Sequence, residues 1–508
     1  MERRIRRLGL AFVLLFSLLF AQVAYVQVIA ADRIANQQGN AARQIRAEYQ
    51  TERGRILAAD GRTVLAESVE APAGSVYAFE RAYPKADVYG HITGYYSRLF
   101  GRSGLEQAMN PYLSGDADEL VAANLTDLIL GKPKKGGTVI TTIVPRIQLA
   151  ARRALGSRRG AVVAINPRTG DVLAVWSNPS FDPTPLSVGT GVDMTAAWEA
   201  LNADPEKPLL SKAFEELYLP GSTGKLVTAT AALQNGYGPQ QTWPNPRILD
   251  LPTTRDDLEN FGGSLCNGGS AKVTMAQAFQ QSCNVTFGEI GLELGADRLT
   301  QMARDWGFCP TLPPERVDCD GDTIPFALGV ENGHYPEASY FAERIPAIAY
   351  SAVGLDNVLT NPLHLGLITA AIANGGTLYE PRIVTEIRDA QGQVVKEFAP
   401  RAYGHPISSG TAATMQAMML SVTQGGTASS TFSGFGVDVA GKTGTATNGE
   451  GRAPNAWFTA FAPAGATDTP TIAVTVIVLD GGDLGSEATG GREAAPIARE
   501  VIAAALGL

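Results

Sequence analysis

Arg3, Arg4, Arg6 and Arg7 stand directly before a stretch of 24 residues, Leu8 to Ala31, that carries no charge. A helix of that length crosses a hydrocarbon core of about 30 Å. The apolar core of a secretory signal is usually about 7–15 residues, so this run is too long for one. It reads as a single membrane anchor, with the Arg cluster in the cytoplasm and the C-terminus outside. The competing reading is a cleaved signal peptide, with Val28-Ile29-Ala30 as the processing site.

The compartment conditions everything that follows. Four cysteines in an exported chain suggest disulfides, with three possible connectivities. Cys266 and Cys283 bracket a turn plus a helix, and Cys309 and Cys319 bracket a Pro-rich loop. These two local pairs are expected, with buried free thiols as the alternative. No CxxC spacing exists, so neither a zinc site nor any other metal or cofactor is expected. Lys+Arg is 41 and Asp+Glu 50, a net charge of −9. The first seven residues contribute +3, leaving −12 on the exported part, which argues against nucleic acid as a partner. Only 10 of the 41 basic residues are Lys, so a Lys inside a motif is less easily there by chance. His91, His334, His364 and His405 have no motif-like neighbours, which disfavours a His-based triad.

At about 150 residues per domain, 508 residues suggest roughly three segments. Residues 1–31 form the stub and anchor. Residues 32–145 form a smaller module of short apolar runs and turns, ending in a linker. The basic loop Gly131-Lys132-Pro133-Lys134-Lys135-Gly136-Gly137 marks the boundary. Residues 146–508 read as one mixed α/β domain. It has a helix over 143–155, strands near 160–166 and 171–176, and an Ala-rich helical region from Ser222 past Leu292. Strands return near 437–445, 457–462 and 471–479, before a closing helix begun by Pro496. Strands at both ends suggest a central sheet closed by both termini.

Three short motifs carry chemistry. In Pro220-Gly221-Ser222-Thr223-Gly224-Lys225 the helix-opening spacing puts Lys225 one turn above Ser222. A buried Lys beside a Ser can lose its proton and act as a base. The helix N-terminus adds free N–H groups for an oxyanion. Ser282 and Asn284 sit at a turn between helices and can both face a cleft. Lys442-Thr443-Gly444-Thr445 ends an apolar alternation. Lys442 supplies a charge, Gly444 a close approach and the Thr hydroxyls a carboxylate site. Each motif alone is more simply an ordinary cap or turn. Gly436 to Thr443 also satisfies the nucleotide-binding pattern G-x4-G-K-T. That pattern needs a helix starting at the Lys, whereas Val437-Asp438-Val439 reads as strand and turn residues follow.

In this order and at these separations, the three motifs are the signature set of penicillin-interacting serine acyltransferases. The sequence resembles the class B high-molecular-mass penicillin-binding proteins, most of all the actinobacterial PbpA-type D,D-transpeptidases. Arg53-Gly54-Arg55-Ile56, His91-Ile92-Thr93-Gly94 and Gly104-Leu105-Glu106 look like the family's N-terminal module. Gly160–Pro179, Asn361–Gly376 and Ala456-Trp457-Phe458 resemble its transpeptidase domain. The resemblance implies a transpeptidase domain like that of serine β-lactamases, with a central antiparallel sheet, flanking helices and an all-helical part. A smaller, elongated α+β module and one transmembrane helix would precede it. Ser222 is then the nucleophile, Lys225 its base, Ser282 a proton relay, and Lys442 a catalytic charge. Asn284, Thr443, Gly444 and Thr445 bind substrate. The implied ligands are peptidoglycan stem peptides and β-lactams. The implied partner is a separate membrane glycan polymerase of the RodA/FtsW type. Two departures stand out: Gly224 lies inside the Ser–Lys turn, where it costs about 1 kcal/mol of helix propensity, and Ser211-Lys212-Ala213 replaces the usual Asn-Arg-Ala. A β-lactamase and a non-catalytic β-lactam sensor are the rival functions.

Overall fold

A computed structural model describes residues 2–25, 48–123, 131, 133–187, 193–310, 319, 323–447, 449, 451–465 and 467–508. Its helices include α1 (Glu2–Ala24), α2 (Pro145–Leu155), α3 (Lys225–Gln234), α4 (Met275–Gln281), α5 (Asn284–Asp305), α6 (Pro362–Ala373), α7 (Ser409–Gly425) and α8 (Ala495–Leu506). The strands of its two large sheets begin with β1 (Ile56–Leu57), β2 (Val64–Glu70), β3 (Phe79–Ala82) and β4 (Thr138–Thr141). They continue with β5 (Gly160–Ile165), β6 (Val172–Asn178), β7 (Val384–Arg388), β8 (Val394–Glu397), β9 (Ala440–Ala446), β10 (Asn455–Ala462) and β11 (Ile472–Val478).

Helix α1 is apolar and exposed, and Arg6–Ala24 is long enough to cross a membrane by length and composition. The end of the expected span, residues 26–31 with their possible processing site, lies outside the described residues, as does most of the polar segment after it.

The central sheet has the order β9-β10-β11-β5-β6 and is antiparallel throughout. Strands from the two ends of residues 146–508 therefore meet in its middle, where β11 pairs with β5. Every residue of β5, β10 and β11 is buried, so both faces are covered. Helices α2 and α8 pack on each other and on the sheet. Helix α6 packs on it through Gly366, which approaches Ile165 and Thr475. Beside it, the hydroxyls of Thr369, Thr459 and Thr475 bond in a row at 2.6 and 2.7 Å, so none of the three is buried without a partner. Gln148 closes the β6 edge by pairing with both backbone groups of Val175. The opposite edge, β9, carries the Lys-Thr-Gly-Thr motif.

A second sheet has the order β8-β7-β4-β1-β2-β3. Its hairpin β7–β8 comes from residues 384–397, beyond the boundary read at 145. Val139 on β4 is flanked by Ile387 on one side and Ile56 on the other. A hairpin's own alternation shows which face it buries, not which sheet receives it.

The helical region expected from Ser222 past Leu292 is interrupted. Between α3 and α4 the chain forms two short strand pairs, 242–244 with 272–274 and 248–250 with 257–259. Pro239, Pro244, Pro246 and Pro252, with Gly262, Gly263, Gly268 and Gly269, explain the break. Helices resume at Met275 behind a Thr274/Gln277 capping box.

The N-terminal part is centred on a buried charge cluster. Glu106 accepts from Arg53 Nε and Arg81 Nε, each at 2.6 Å, with all three side chains almost without exposure. Burial pushes the Glu106 carboxyl up. The charges of Arg81 and Arg53 outweigh that and hold it below its usual range. Glu106→Gln leaves two buried guanidiniums without a counter-charge, and we expect a loss of about 3–5 kcal/mol in denaturant unfolding. The folded pKa lies below the unfolded one, so the Glu106 contribution is complete above the unfolded carboxylate pKa. It is lost as pH falls through the folded pKa. The gap between wild type and variant should therefore shrink on acidification.

Candidate active site

The chain reaches Ser222 through a turn that only glycines permit. Gly221 has φ 53° and donates its N–H to Gly354 O at 2.9 Å. Gly221–Gly224 form one 3-10 turn, and α3 starts at Lys225. Ser222 is thus not the ordinary helix cap that the motif taken alone would suggest: Pro220 precedes the 3-10 turn, Gly224 precedes α3, and the Ser222 hydroxyl is left for other partners. In a 3-10 turn, residues three apart eclipse each other. Lys225 Nζ accordingly sits 3.0 Å from Ser222 Oγ. Gly224 has a steric reason: a Cβ there would stand 2.7 Å from Gly354 Cα. Gly444 likewise lets β9 press on the turn, since a Cβ would stand 2.8 Å from Pro220 O.

Helix α4 ends at Ser282, which adopts the left-handed conformation (φ 63°, ψ 40°), and α5 begins at Asn284. The turn between them points Ser282 Oγ, Ser282 O and Asn284 Oδ1 at the lysines. Lys225 Nζ lies 2.8 Å from Ser282 O, 2.7 Å from Asn284 Oδ1 and 3.5 Å from Ser282 Oγ. Lys442 Nζ, from β9, donates to Ser282 Oγ at 2.8 Å and to Thr443 O at 2.9 Å. The strand runs on through Ala446, so no helix starts at Lys442 and the nucleotide-binding reading falls.

Both lysines are fully buried. Burial, and then the charge of Lys442, drive the Lys225 amine well below its usual range. Burial alone brings Lys442 down to about 7. A neutral amine has two N–H groups and one lone pair. Two neighbours of Lys225, Ser282 O and Asn284 Oδ1, can only accept. They take both N–H groups, and the lone pair is left for the Ser222 hydroxyl. That is the hydrogen-bond pattern of a base and its nucleophile.

Ser222, Ser282, Asn284, Thr443, Gly444 and Thr445 line one cleft of about 410 Å³. The two lysines lie behind its wall. Cys266 and Cys283, which also line it, are disulfide-bonded with Cα atoms 6.3 Å apart, and Cys309 pairs with Cys319 at 5.7 Å. The cleft contains residues that the motifs do not point to. Thr427 shares a 2.6 Å hydroxyl bond with Thr443. Thr489 to Arg492 reach it from the turn that leads into α8, and Phe261 from the loop before Cys266. Gly490-Gly491 was the available signal, because a Cβ on Gly490 would stand 2.7 Å from Gly444 O.

Residues 160–503 match the family model for the penicillin-binding protein transpeptidase domain, and residues 53–139 that for the penicillin-binding protein A dimerisation domain. The chain belongs to the class B penicillin-binding protein transpeptidases. It is 37% identical to the peptidoglycan D,D-transpeptidase PbpA of Mycolicibacterium smegmatis, over 100% of this chain and 99% of that protein. Identity to the Mycobacterium tuberculosis PbpA is 35%, with the same coverage. The ceftriaxone acyl-enzyme complex of M. tuberculosis penicillin-binding protein A superposes with a TM-score of 0.82 at 35% identity, over 91% of this chain and 99% of that one.

The glycine contacts yield a direct test. Gly354 has φ 78°, and a Cβ there would overlap the Gly221 carbonyl oxygen. Gly354→Ala should cost about 2–5 kcal/mol, from left-handed strain plus overpacking, read as a lower unfolding midpoint.

Proposed function

We propose that this chain is a peptidoglycan D,D-transpeptidase that works through a Ser222 acyl-enzyme and is trapped by β-lactams. The observation that carries the reading is the hydrogen-bonded row Ser222–Lys225–Ser282–Lys442 at the base of one cleft. Ser222 Oγ attacks the carbonyl of the penultimate D-Ala while neutral Lys225 takes its proton. The new C–O bond is paired with cleavage of the C–N bond to the terminal D-Ala. Ser282, between the two lysines, relays the proton to the departing amine. The N–H groups of Ser222 and Thr445 hold the oxyanion, which β9 can serve because it is a sheet edge. Asn284, whose Oδ1 is taken by Lys225 and one Nδ2 N–H by Glu259 O, binds the substrate amide through its second Nδ2 N–H. Thr443 and Thr445 receive the terminal carboxylate, with Gly444 admitting it and the Lys442 charge acting from behind the wall. An amine from a neighbouring stem peptide then attacks the ester and frees Ser222.

The β-lactamase reading is disfavoured by one observation. No Asp or Glu is among the described residues lining the cleft, so no carboxylate stands ready to activate water against the acyl-enzyme. The reading extends to the whole chain. The helix at 2–24 anchors it in the cytoplasmic membrane as a single span, with the catalytic domain outside. Residues 1–31, 32–145 and 146–508 act as anchor, pedestal or dimerisation module, and catalytic domain. A separate membrane glycan polymerase of the RodA/FtsW type docks on the first two. Recovery of that polymerase with the full-length protein should fall when the anchor is replaced; equal recovery would count against the partnership.

Fluorescent penicillin should label the ectodomain on Ser222 and leave Ser222→Ala unlabelled. Mass spectrometry of the released ligand separates a stable adduct from hydrolysis, and rapid turnover would move the reading to a β-lactamase. The acylation rate should fall at low pH, as Lys225 is protonated. It should fall again above about 7, as Lys442 loses its charge. Lys442→Arg, which stays charged, should shift the alkaline limb upward.

A further inference from the structure

The N-terminal module and the catalytic domain also meet away from their shared sheet. Tyr95, Phe181 and Leu186 form a small apolar cluster separate from the main core. Phe100 and Tyr95 of the module pack on Trp198, from the helix Met194–Ala203. Phe100 stacks on it at 4.6 Å, and Tyr95 meets it edge-on at 5.8 Å. Gly90 allows the approach, since a Cβ there would stand 2.3 Å from Phe181 O. The junction is nevertheless not filled. It surrounds a pocket of about 460 Å³, larger than the catalytic cleft and sharing no residue with it. Close-packed contacts leave few voids of that size.

The chemistry of the lining is lopsided. Tyr95, Phe181, Trp198 and Phe214 give it aromatic walls. Three of its polar side chains keep an acceptor atom without a partner. Burial brings the His91 imidazole down to about 4, so the ring is neutral at physiological pH. Its Nε2 donates to Pro208 O at 2.8 Å, which leaves Nδ1 as an acceptor. Asn202 spends an Nδ2 N–H on Trp198 O at 2.8 Å and keeps Oδ1. Glu215 accepts from Ser211 N at 2.6 Å through Oε2 and keeps Oε1. Glu215 has no ion pair among the described residues, and burial pushes its carboxyl above the usual range. A cation beside it would reverse that shift. Lys207, the one cation of the lining, is exposed, so water serves its ammonium. Rings around a space with an unpaired carboxylate complement a positive head on an aromatic body.

We propose that this pocket is a binding site for an organic cation with an aromatic body, its ammonium at Glu215 and its ring among those of Phe181 and Trp198. Such a ligand touches both halves of the chain and ties them at a second point. The site is independent of the acyl-transfer chemistry at Ser222.

The probes are tryptamine, an indole bearing an ammonium, and indolepropionate, the same ring bearing a carboxylate. Each is titrated calorimetrically into the full-length protein in detergent, against a detergent blank. Tryptamine should bind a single site with a Kd of about 1 mM or tighter, as expected for a ligand of its size in a preformed pocket. Indolepropionate should bind at least about tenfold more weakly. Glu215→Gln keeps an acceptor for Ser211 N but removes the charge. It should weaken tryptamine about tenfold and leave indolepropionate no weaker than before. Leu201→Trp, which fills the pocket, should abolish tryptamine binding. Where that variant lowers the unfolding midpoint, Glu215→Gln decides alone. No tryptamine binding, equal affinity for the two probes, or unchanged tryptamine affinity in Glu215→Gln would each overturn the proposal.

Discussion

Two ammonium groups buried within reach of one serine hydroxyl are the constraint on which this site depends. Taking a charged amine out of water costs several kcal/mol, and taking two out side by side costs more. The protein relieves the cost by letting the amines approach neutrality and by giving each its own polar partners. Lys225 has Ser282 O and Asn284 Oδ1; Lys442 has Thr443 O and Ser282 Oγ. Phe287 and Phe279 complete the enclosure, each with its ring centroid 5.6 Å from a lysine Nζ. The same burial that makes the pair expensive makes it reactive, because a neutral amine in a dry wall is a base at physiological pH.

Holding such a pair requires precise backbone placement, and the surrounding architecture supplies it without side chains. Three segments converge on Ser222: the 220–224 turn, the chain at Gly354 and the edge strand β9. All cross at distances that a Cβ would block. Glycine is required there for contact, and at Gly221 and Gly354 also for positive φ. The Ser282 turn, a further partner, is fixed differently, by a left-handed residue flanked by a disulfide and by side-chain bonds to the neighbouring loop.

The parts of this design that were legible in the sequence are those with a local signature. The Ser–Lys spacing, the Ser-Cys-Asn turn and the Lys-Thr-Gly-Thr strand could each be read from adjacent residues. The central sheet followed from apolar runs at 160–166 and 471–479. Illegible were the features decided by distant packing. Nothing around Ser222 distinguishes a helix cap from a 3-10 turn, since the choice is made by Gly354, more than a hundred residues away. The Ala-rich content of α3, α4 and α5 masked the Pro- and Gly-rich hairpins between them. The hairpin at 384–397 looks like an ordinary surface excursion until β4 is seen to accept it. Phe261 carries no signal at all, because exposure is a property of the fold.

That hairpin changes how the two halves must be thought of. Strand β4 is the last strand before α2, and it is bonded on one side to β1 of the N-terminal module and on the other to β7. The residues after the boundary therefore hold the module through the β7–β8 hairpin, which extends the module's own sheet at β4. The buried Arg53–Glu106–Arg81 cluster lies in that same module. Arg53 Nη2 and Arg81 Nη1 also bond the backbone of Glu106 and Gly54, which leads into β1. Displacing the module would have to break a continuous ladder rather than bend a hinge. A sheet shared in this way resists bending along its strands, so the anchor-proximal module and the catalytic cleft are expected to move as one body, with the cleft's shape set by its own staples.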